Sequence, residues 1–178
     1  MEGISLVPIG AVYPNAADFL LFSLQEIFNV KCEILEGHIP LAPRFNADRQ
    51  QYHSTEILQQ LLPYVKRKGQ HVLGVVDVDL YIPILTFVFG EAQLGKGCAL
   101  MSSFRLHQEF YGLPEDESLY LQRCEKEAVH ELGHTLGLTH CRHFECVMRY
   151  ANSVEDIDMK RNVFCPDCSK LLRIPSLW

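Results

Sequence analysis

Residues 130–140 read HELGHTLGLTH, and the rest of the chain is interpreted outward from this stretch. His130 and His134 are four residues apart, which on a helix corresponds to about 40° of rotation and ~6 Å of rise. Both imidazoles therefore leave the same face of the helix and can reach one metal ion. Neutral imidazole is a preferred ligand of Zn²⁺, so the spacing predicts two zinc ligands on a single helix.

Glu131 and His140 complete this pattern. Glu131 is adjacent to the first ligand, where a carboxylate can reach a zinc-bound water without binding the metal, and it is predicted to be the general base. Gly137 tolerates a positive φ, so the helix can end there and the chain can turn back. That turn would bring His140 to the zinc as the third ligand and leave the fourth position open to water.

The remaining sequence indicates a sheet covered by helices. Apolar runs predict strands at 3–9, 31–36, 71–79, 84–90 and 98–105, and helical spacing predicts helices at 16–28, 54–68 and 115–136. Shorter helices are expected from Ser153 and after Pro166. This order predicts an α/β (α+β) fold with a mixed, mostly parallel five-stranded sheet, an active-site helix and a small irregular C-terminal lobe. We expect a single catalytic domain over 1–178, with an N-terminal subdomain at 1–137 and a C-terminal subdomain at 138–178.

Several residues beyond the helix extend the motif into a family pattern. Met148 follows in Cys146-Val147-Met148, and a Cys-Pro-Asp-Cys stretch occupies 165–168. Over 130–168 the chain closely resembles the archaemetzincins of the metzincin clan of metalloproteases, and the strand order before it agrees more loosely. The resemblance implies a metzincin-like fold and a methionine turn at Met148 beneath the zinc. It also implies a structural zinc held by four cysteines: Cys141, Cys146, Cys165 and Cys168.

The chemistry of the cysteines agrees with that implication. Cys165 and Cys168 have a zinc-knuckle spacing, and a lobe of about 40 residues is too small to be held by an apolar core alone. A disulfide and a redox Cys-x-x-Cys remain as alternatives, the second disfavoured because the pair lies after the βα region. The scattered Cys32, Cys98 and Cys124 are interpreted as small buried apolar residues. Two zinc ions per chain are therefore predicted, one catalytic and one structural.

Residues 87–93 are the candidate substrate-binding segment. An edge strand can pair with an extended peptide through its free N–H and C=O groups, and this predicts contacts from Phe89, Gly90, Glu91 and Ala92. Residues 98–104 are the alternative edge strand, and either segment could be an ordinary strand. Tyr150 could touch the zinc or steady an oxyanion, but packing is the favoured interpretation. His143 is interpreted as a solvated loop residue.

Charged residues just before the motif are assigned to solvent. Glu125, Lys126 and Glu127 are interpreted as a solvated face of the helix, with Arg123 and Glu127 as a possible ion pair. The formal net charge of −6 argues against nucleic acid or an anionic membrane as partner. The first residues lack the basic region of a signal peptide, and the apolar stretches are too short to span a bilayer. We therefore expect a cytoplasmic monomer whose partner is a peptide or protein substrate.

The function that these observations favour is zinc-dependent peptide hydrolysis. A zinc-stabilised peptide-binding or regulatory module with little turnover is the alternative from another class, and hydrolysis of a non-peptide amide is an enzymatic one. Glu131 favours an enzyme, because chemistry requires a carboxylate there and a structural site does not.

Overall fold

A computed structural model describes residues 1–13 and 15–178, and its central element is a five-stranded sheet. In chain order the strands are β1 (Gly3–Ile9), β2 (Lys31–Ile34), β3 (Phe45–Asn46), β4 (Gln51–His53), β5 (Gln70–Val76), β6 (Leu80–Tyr81), β7 (Gly90–Ala92) and β8 (Cys98–Ser102). The helices are α1 (Ala16–Phe28), α2 (Ser54–Leu61), α3 (Glu117–Thr135), α4 (Val154–Asp158) and α5 (Pro166–Leu172).

The sheet has the order β2-β1-β5-β8-β7, and every pair in it is parallel except β7 with β8. The predicted α/β fold with a mixed, mostly parallel five-stranded sheet is thereby confirmed. Strand β5 is buried along almost its whole length, which explains why its sequence is a continuous apolar run rather than an alternating one.

Helices cover both faces of this sheet. Leu73 and Val75 of β5 point to the face on which α1 and α3 pack. Val72 and Val76 point to the opposite face and join the cluster around α2. Because successive side chains of a strand alternate between faces, one strand contributes to both clusters. Helix α3, which carries His130 and His134, is thus held directly on the sheet.

Several predicted boundaries differ from the structure, and two elements differ most. The strand expected at 84–90 does not form: the segment after Pro83 is irregular, with an isolated bridge between Leu80 and Val88, and β7 begins only at Gly90. The helix expected at 54–68 ends at Leu61, and a 3-10 turn follows around Pro63. Proline has no backbone N–H and its ring clashes with the preceding helical turn, so the helix ends before Pro63. Ladder pairing with β8 begins only at Gly90, which faces Met101. A small three-stranded sheet, β3-β4-β6, was not predicted.

The last forty or so residues pack against α3 through charged side chains. Arg123 donates two hydrogen bonds of 2.7 Å to the carboxylate of Asp158. Lys126 donates to the carbonyls of Ile157 and Asp158 at 3.2 and 3.1 Å. The interpretation of α3 as solvated around Lys126 is therefore wrong, because α4 covers that face. No helix within the described ranges is long and apolar enough to cross a bilayer.

Candidate metal centre and catalytic cleft

Helix α3 presents two imidazoles and a carboxylate to one place. The helix begins after Asp116, whose side chain accepts a hydrogen bond of 2.9 Å from the N–H of Leu119. This is the N-cap interaction that satisfies an otherwise free donor of the first turn. His130, Glu131 and His134 then line the cleft beside β7.

A tight turn after α3 brings the third imidazole. The N–H of Gly137 donates to the carbonyl of His134 at 2.9 Å, and that of Leu138 donates to Gly133 at 3.1 Å. Gly137 has φ +95°, a conformation that a side chain would strain. The chain reverses there, and the ligand nitrogens of His130, His134 and His140 lie within 4.8 Å of one another.

Backbone carbonyls orient the two helical imidazoles. His130 Nδ1 lies 2.8 Å from the carbonyl of Val147, and His134 Nδ1 lies 2.8 Å from that of Leu138. A carbonyl only accepts, so each Nδ1 carries the proton and each Nε2 keeps a lone pair. Burial is the first cause that lowers the pKa of all three imidazoles, that of His140 included, so they are neutral near pH 7.

The donor set fits zinc. The two Nε2 atoms of His130 and His134 are 3.1 Å apart, with two lone pairs facing each other. Nitrogens at about 2.0–2.1 Å from a tetrahedral zinc lie about 3.3 Å from one another. Three neutral imidazoles and one open side are the ligand set of a catalytic rather than a structural zinc site. Lone pairs so close to each other are favourable only with a cation between them.

Glu131 lies buried between this cluster and strand β7. A Cβ at Gly90 would lie 2.5 Å from Glu131 Oε1, so the missing side chain at Gly90 makes room for the carboxylate. Within the described residues, Glu131 Oε2 is buried and has no hydrogen-bond partner. Burial, followed by the charge of Glu127, raises the pKa of Glu131 well above its usual range. A carboxylate with a raised pKa and a free oxygen is suited to accept and return a proton.

Met148 lies directly under α3. It is fully buried, and a Cβ at Gly133 would lie 2.3 Å from its sulfur. The carbonyl of Met148 accepts a hydrogen bond of 2.9 Å from the N–H of Cys141. The methionine segment thus contacts both the helix of the first two histidines and the residue after the third.

The four predicted cysteines form a second cluster. The sulfurs of Cys141, Cys146, Cys165 and Cys168 lie within 4.8 Å of one another. Two of the sulfur pairs are 3.8 Å apart, which is the separation expected when each sulfur is about 2.3 Å from a tetrahedral zinc. A disulfide would need about 2.05 Å, so this alternative does not fit the geometry. Backbone N–H groups of His143 and Cys165 donate to sulfurs at 3.4 Å, which stabilises thiolates.

A cleft of about 350 Å³ runs beside the three imidazoles. All four predicted substrate-binding residues, Phe89, Gly90, Glu91 and Ala92, line it. Among the described residues β7 has a strand partner only on the β8 side, so its other edge is free. Strand β8 has partners on both sides, which excludes 98–104 as the edge strand.

The two weaker candidates each border one of the clusters without being part of it. The ring of Tyr150 lies 5.0 Å from that of His140, between centroids, and it lines the cleft. His143 is exposed and packs edge-on against Trp178, with ring centroids 4.7 Å apart.

Sequence reasoning missed one pair that lines the cleft. Lys160 Nζ lies 3.5 Å from Glu127 Oε1, and the two side chains are 1% and 3% exposed. Glu127 was interpreted as solvated and as a partner of Arg123, which is wrong because Arg123 pairs with Asp158 instead. Helical spacing could have indicated that Glu127 belongs to the cleft, because it lies one turn before Glu131 on the same face of α3.

The comparison with known proteins agrees with this geometry. The family model described as Peptidase family M54 matches residues 45–174. The chain belongs to peptidase family M54. An archaemetzincin of Methanocaldococcus jannaschii is 44% identical to this M54 member over 171 residues, covering 96% of the chain and 92% of the relative. One of Archaeoglobus fulgidus is 42% identical over 163 residues, covering 92% and 94%.

Solved structures extend the likeness of this M54 member to three dimensions. The crystal structure of the Archaeoglobus fulgidus archaemetzincin, complexed with malonate, has a TM-score of 0.81 at 40% identity, covering 95% of this chain and 99% of that one. A zinc-dependent peptidase of Methanocorpusculum labreanum has a TM-score of 0.86 at 30% identity, covering 96% and 100%. The predictions of an archaemetzincin and of a zinc metalloprotease are confirmed.

Proposed function

We propose that this metallopeptidase cleaves peptide bonds with Glu131 as general base, at a zinc ion held by His130, His134 and His140. One observation carries the proposal: three imidazole nitrogens converge beside a buried carboxylate that lines the same cleft and has an oxygen without a hydrogen-bond partner. A site that served only to hold the fold would not need an unpaired buried carboxylate, because such a group costs free energy.

The protein groups divide the chemistry between them. A zinc ion in this ligand set polarises a carbonyl and lowers the pKa of water. Glu131 accepts the proton of the attacking water and passes it to the leaving amine. The free edge of β7 pairs with the backbone of an extended substrate, and Gly90 permits the close approach of that backbone to Glu131.

The cysteine cluster has a supporting role in this proposal. We infer a second, structural zinc at Cys141, Cys146, Cys165 and Cys168, whose four thiolates complete its coordination and exclude catalysis. Cys141 follows His140 directly and is hydrogen-bonded to Met148, so this zinc would hold the third ligand and the methionine turn in place. On this proposal residues 138–178 are the C-terminal subdomain of one catalytic domain, and the chain acts as a monomer.

A matched isosteric variant tests the mechanism. Wild type and Glu131→Gln, each with its zinc content measured, are incubated with a mixed peptide library, and cleavage is followed by mass spectrometry. We expect wild type to cleave and Glu131→Gln to lose at least about 100-fold in rate, because an amide cannot accept the proton. Cleavage by the variant at the wild-type rate would rule out this role of Glu131. Binding of peptides by both proteins without cleavage would instead favour the peptide-binding module.

A further inference from the structure

Lys160 is a buried cation on the wall of the cleft, and the proposed mechanism of hydrolysis assigns it no role. Its side chain is 1% exposed, yet the residue lines the same cleft as His130 and Glu131. It is the only lysine or arginine among the described residues of the cleft lining. Burying an ammonium destabilises a protein unless the group is paired and hydrogen-bonded, so Lys160 requires acceptors for its donors.

The protein satisfies this ammonium only in part. Lys160 Nζ has three donors, and a charge-assisted bond to a carboxylate is normally about 2.7–2.9 Å long. Its one hydrogen-bond acceptor within the parts of the chain that the structure describes is Glu127 Oε1, at 3.5 Å. The remaining donors have no protein acceptor there and are available to a group that enters the cleft.

The backbone that carries Lys160 is firmly held. The N–H of Lys160 donates to the carbonyl of Ile157 at 3.1 Å, at the end of α4. The same stretch is bound to α3 through the two hydrogen bonds between Arg123 and Asp158 and through Lys126. The ammonium is therefore positioned before any ligand arrives, which reduces the entropy lost on binding.

We propose that Lys160 binds a carboxylate of the substrate close to the scissile bond and so gives the enzyme a preference for acidic peptides. The inference rests on the proposed function, since it takes the imidazole cluster as the place of cleavage. Glu127 keeps its place on one side of the ammonium, and the substrate carboxylate takes the donors on the cleft side. That carboxylate belongs either to an Asp or Glu side chain or to the C-terminus of a short peptide.

Paired peptides distinguish the two sources. Each cleaved peptide is made with Glu or Gln at the positions that flank the scissile bond, and with a free or an amidated C-terminus. For zinc-loaded wild type we expect kcat/KM to be about tenfold or more higher for the acidic member of one pair. A difference in the Glu and Gln pair assigns a side-chain carboxylate, and a difference in the acid and amide pair assigns the C-terminus.

Matched variants connect the preference to Lys160. Because Lys160→Met alone would leave Glu127 buried without its cation, the paired variant Lys160→Met with Glu127→Gln removes both charges at similar volume. We expect its ratio of kcat/KM between acidic and neutral peptides to fall to about one. Glu127→Gln alone keeps the ammonium and should keep the preference. Zinc content and circular dichroism verify that each variant is folded.

A binding measurement separates this proposal from the proposed function. Fluorescence anisotropy with labelled peptides, in the Glu131→Gln background, compares acidic and neutral members without turnover. Tighter binding of the acidic member that is lost in the paired variant supports the role of Lys160 even if no peptide is cleaved. Equal binding and equal kcat/KM for both members in wild type would overturn it, as would a preference that survives removal of Lys160.

Discussion

Single residues set the position of the Glu131 carboxylate, the proposed general base. Glu131 occupies space that a side chain at residue 90 would take, so the absence of one atom group on β7 decides where the carboxylate lies. Gly133 has the corresponding role on the opposite side, where it admits Met148. The glycines at these two places have ordinary φ values, so their function is close approach rather than backbone freedom.

Gly90→Ala is expected to impair catalysis more than stability. The new methyl group would lie 2.5 Å from Glu131 Oε1 and displace the carboxylate. We expect kcat to fall by about tenfold or more while zinc content is retained, because a displacement near 1 Å in a catalytic group can cost that much. Steady-state kinetics and metal analysis of wild type and variant measure both effects. Unchanged kcat would mean that Glu131 does not act from this position.

The position of the imidazole cluster depends on whole elements as well as on single residues. The C-terminal lobe contributes the segment from His140 to Met148, and it contacts α3 through α4 and through the carbonyl of Val147, which lies against His130. A small lobe with short helices lacks the apolar area to hold itself together. Loss of a metal ion from the cysteine cluster should therefore disturb the positions of His130, His134 and His140.

Cys165→Ser is expected to release the structural zinc and to inactivate the enzyme. With one of four ligands weakened, the segment that carries Cys141 and His140 loses its anchor, because metal binding supplies folding free energy in lobes of this size. Zinc per chain, hydrogen exchange of residues 138–178 and activity are the measurements. Cys32→Ser, which changes a buried cysteine outside both clusters, should retain both zinc ions. Full activity of Cys165→Ser would contradict the supporting role of the cluster.

The contact between β5 and α3 should be sensitive to acid. Burial, with a smaller contribution from the N-terminal amine, lowers the pKa of His71 to about 4, and its Nδ1 lies 2.6 Å from Thr135 Oγ1. The unfolded chain takes up a proton near pH 6.5 and the folded chain does so only near pH 4. The free energy of unfolding should thus fall by roughly 3 kcal/mol between these values.

His71→Gln tests this pH dependence. Urea titrations of wild type and variant at several pH values give the slope of the free energy of unfolding against pH. Glutamine can keep a hydrogen bond to Thr135 but does not titrate, so the part of the slope between pH 6.5 and 4 that His71 causes should disappear. An unchanged slope would assign the acid sensitivity to other groups.

At the scale of the whole molecule, the two clusters that could hold a metal ion differ in character. The imidazole cluster is open to the cleft and has three ligands, whereas the cysteine cluster has four and is mostly buried. Four thiolates hold zinc more tightly than three imidazoles with one open position.

Chelation should therefore proceed in two steps. A mild chelator is expected to remove one zinc ion and abolish activity while the circular dichroism spectrum stays native. A stronger chelator should remove the second ion and unfold the C-terminal lobe. Atomic absorption of the dialysed protein, together with activity after zinc is restored, measures both steps. Isolation of the protein with a single zinc ion under zinc-replete conditions would contradict the proposal of two sites.

The sequence by itself determined the chemistry, because that chemistry depends on local spacing. Positions 130 and 134 share a helical face whatever surrounds the helix, and Gly137 permits a turn that no other residue would make as readily. The strands of the parallel sheet could also be predicted from the sequence, because a strand that is buried on both faces is a continuous apolar run. The ends of helices and strands were predicted less well near Pro63 and Pro83, where the point at which an element ends depends on local interactions.

Only the tertiary structure decided which charged residues belong to the site. Glu127 and Lys160 are 33 residues apart, and nothing in their spacing brings them together. A charged side chain on a helix is solvated by default, and its burial depends on what packs over it, here α4 and its anchoring hydrogen bonds. The motif from 130 to 140 therefore specifies the three imidazoles that could hold a metal ion, and the fold adds the buried ammonium in the same cleft.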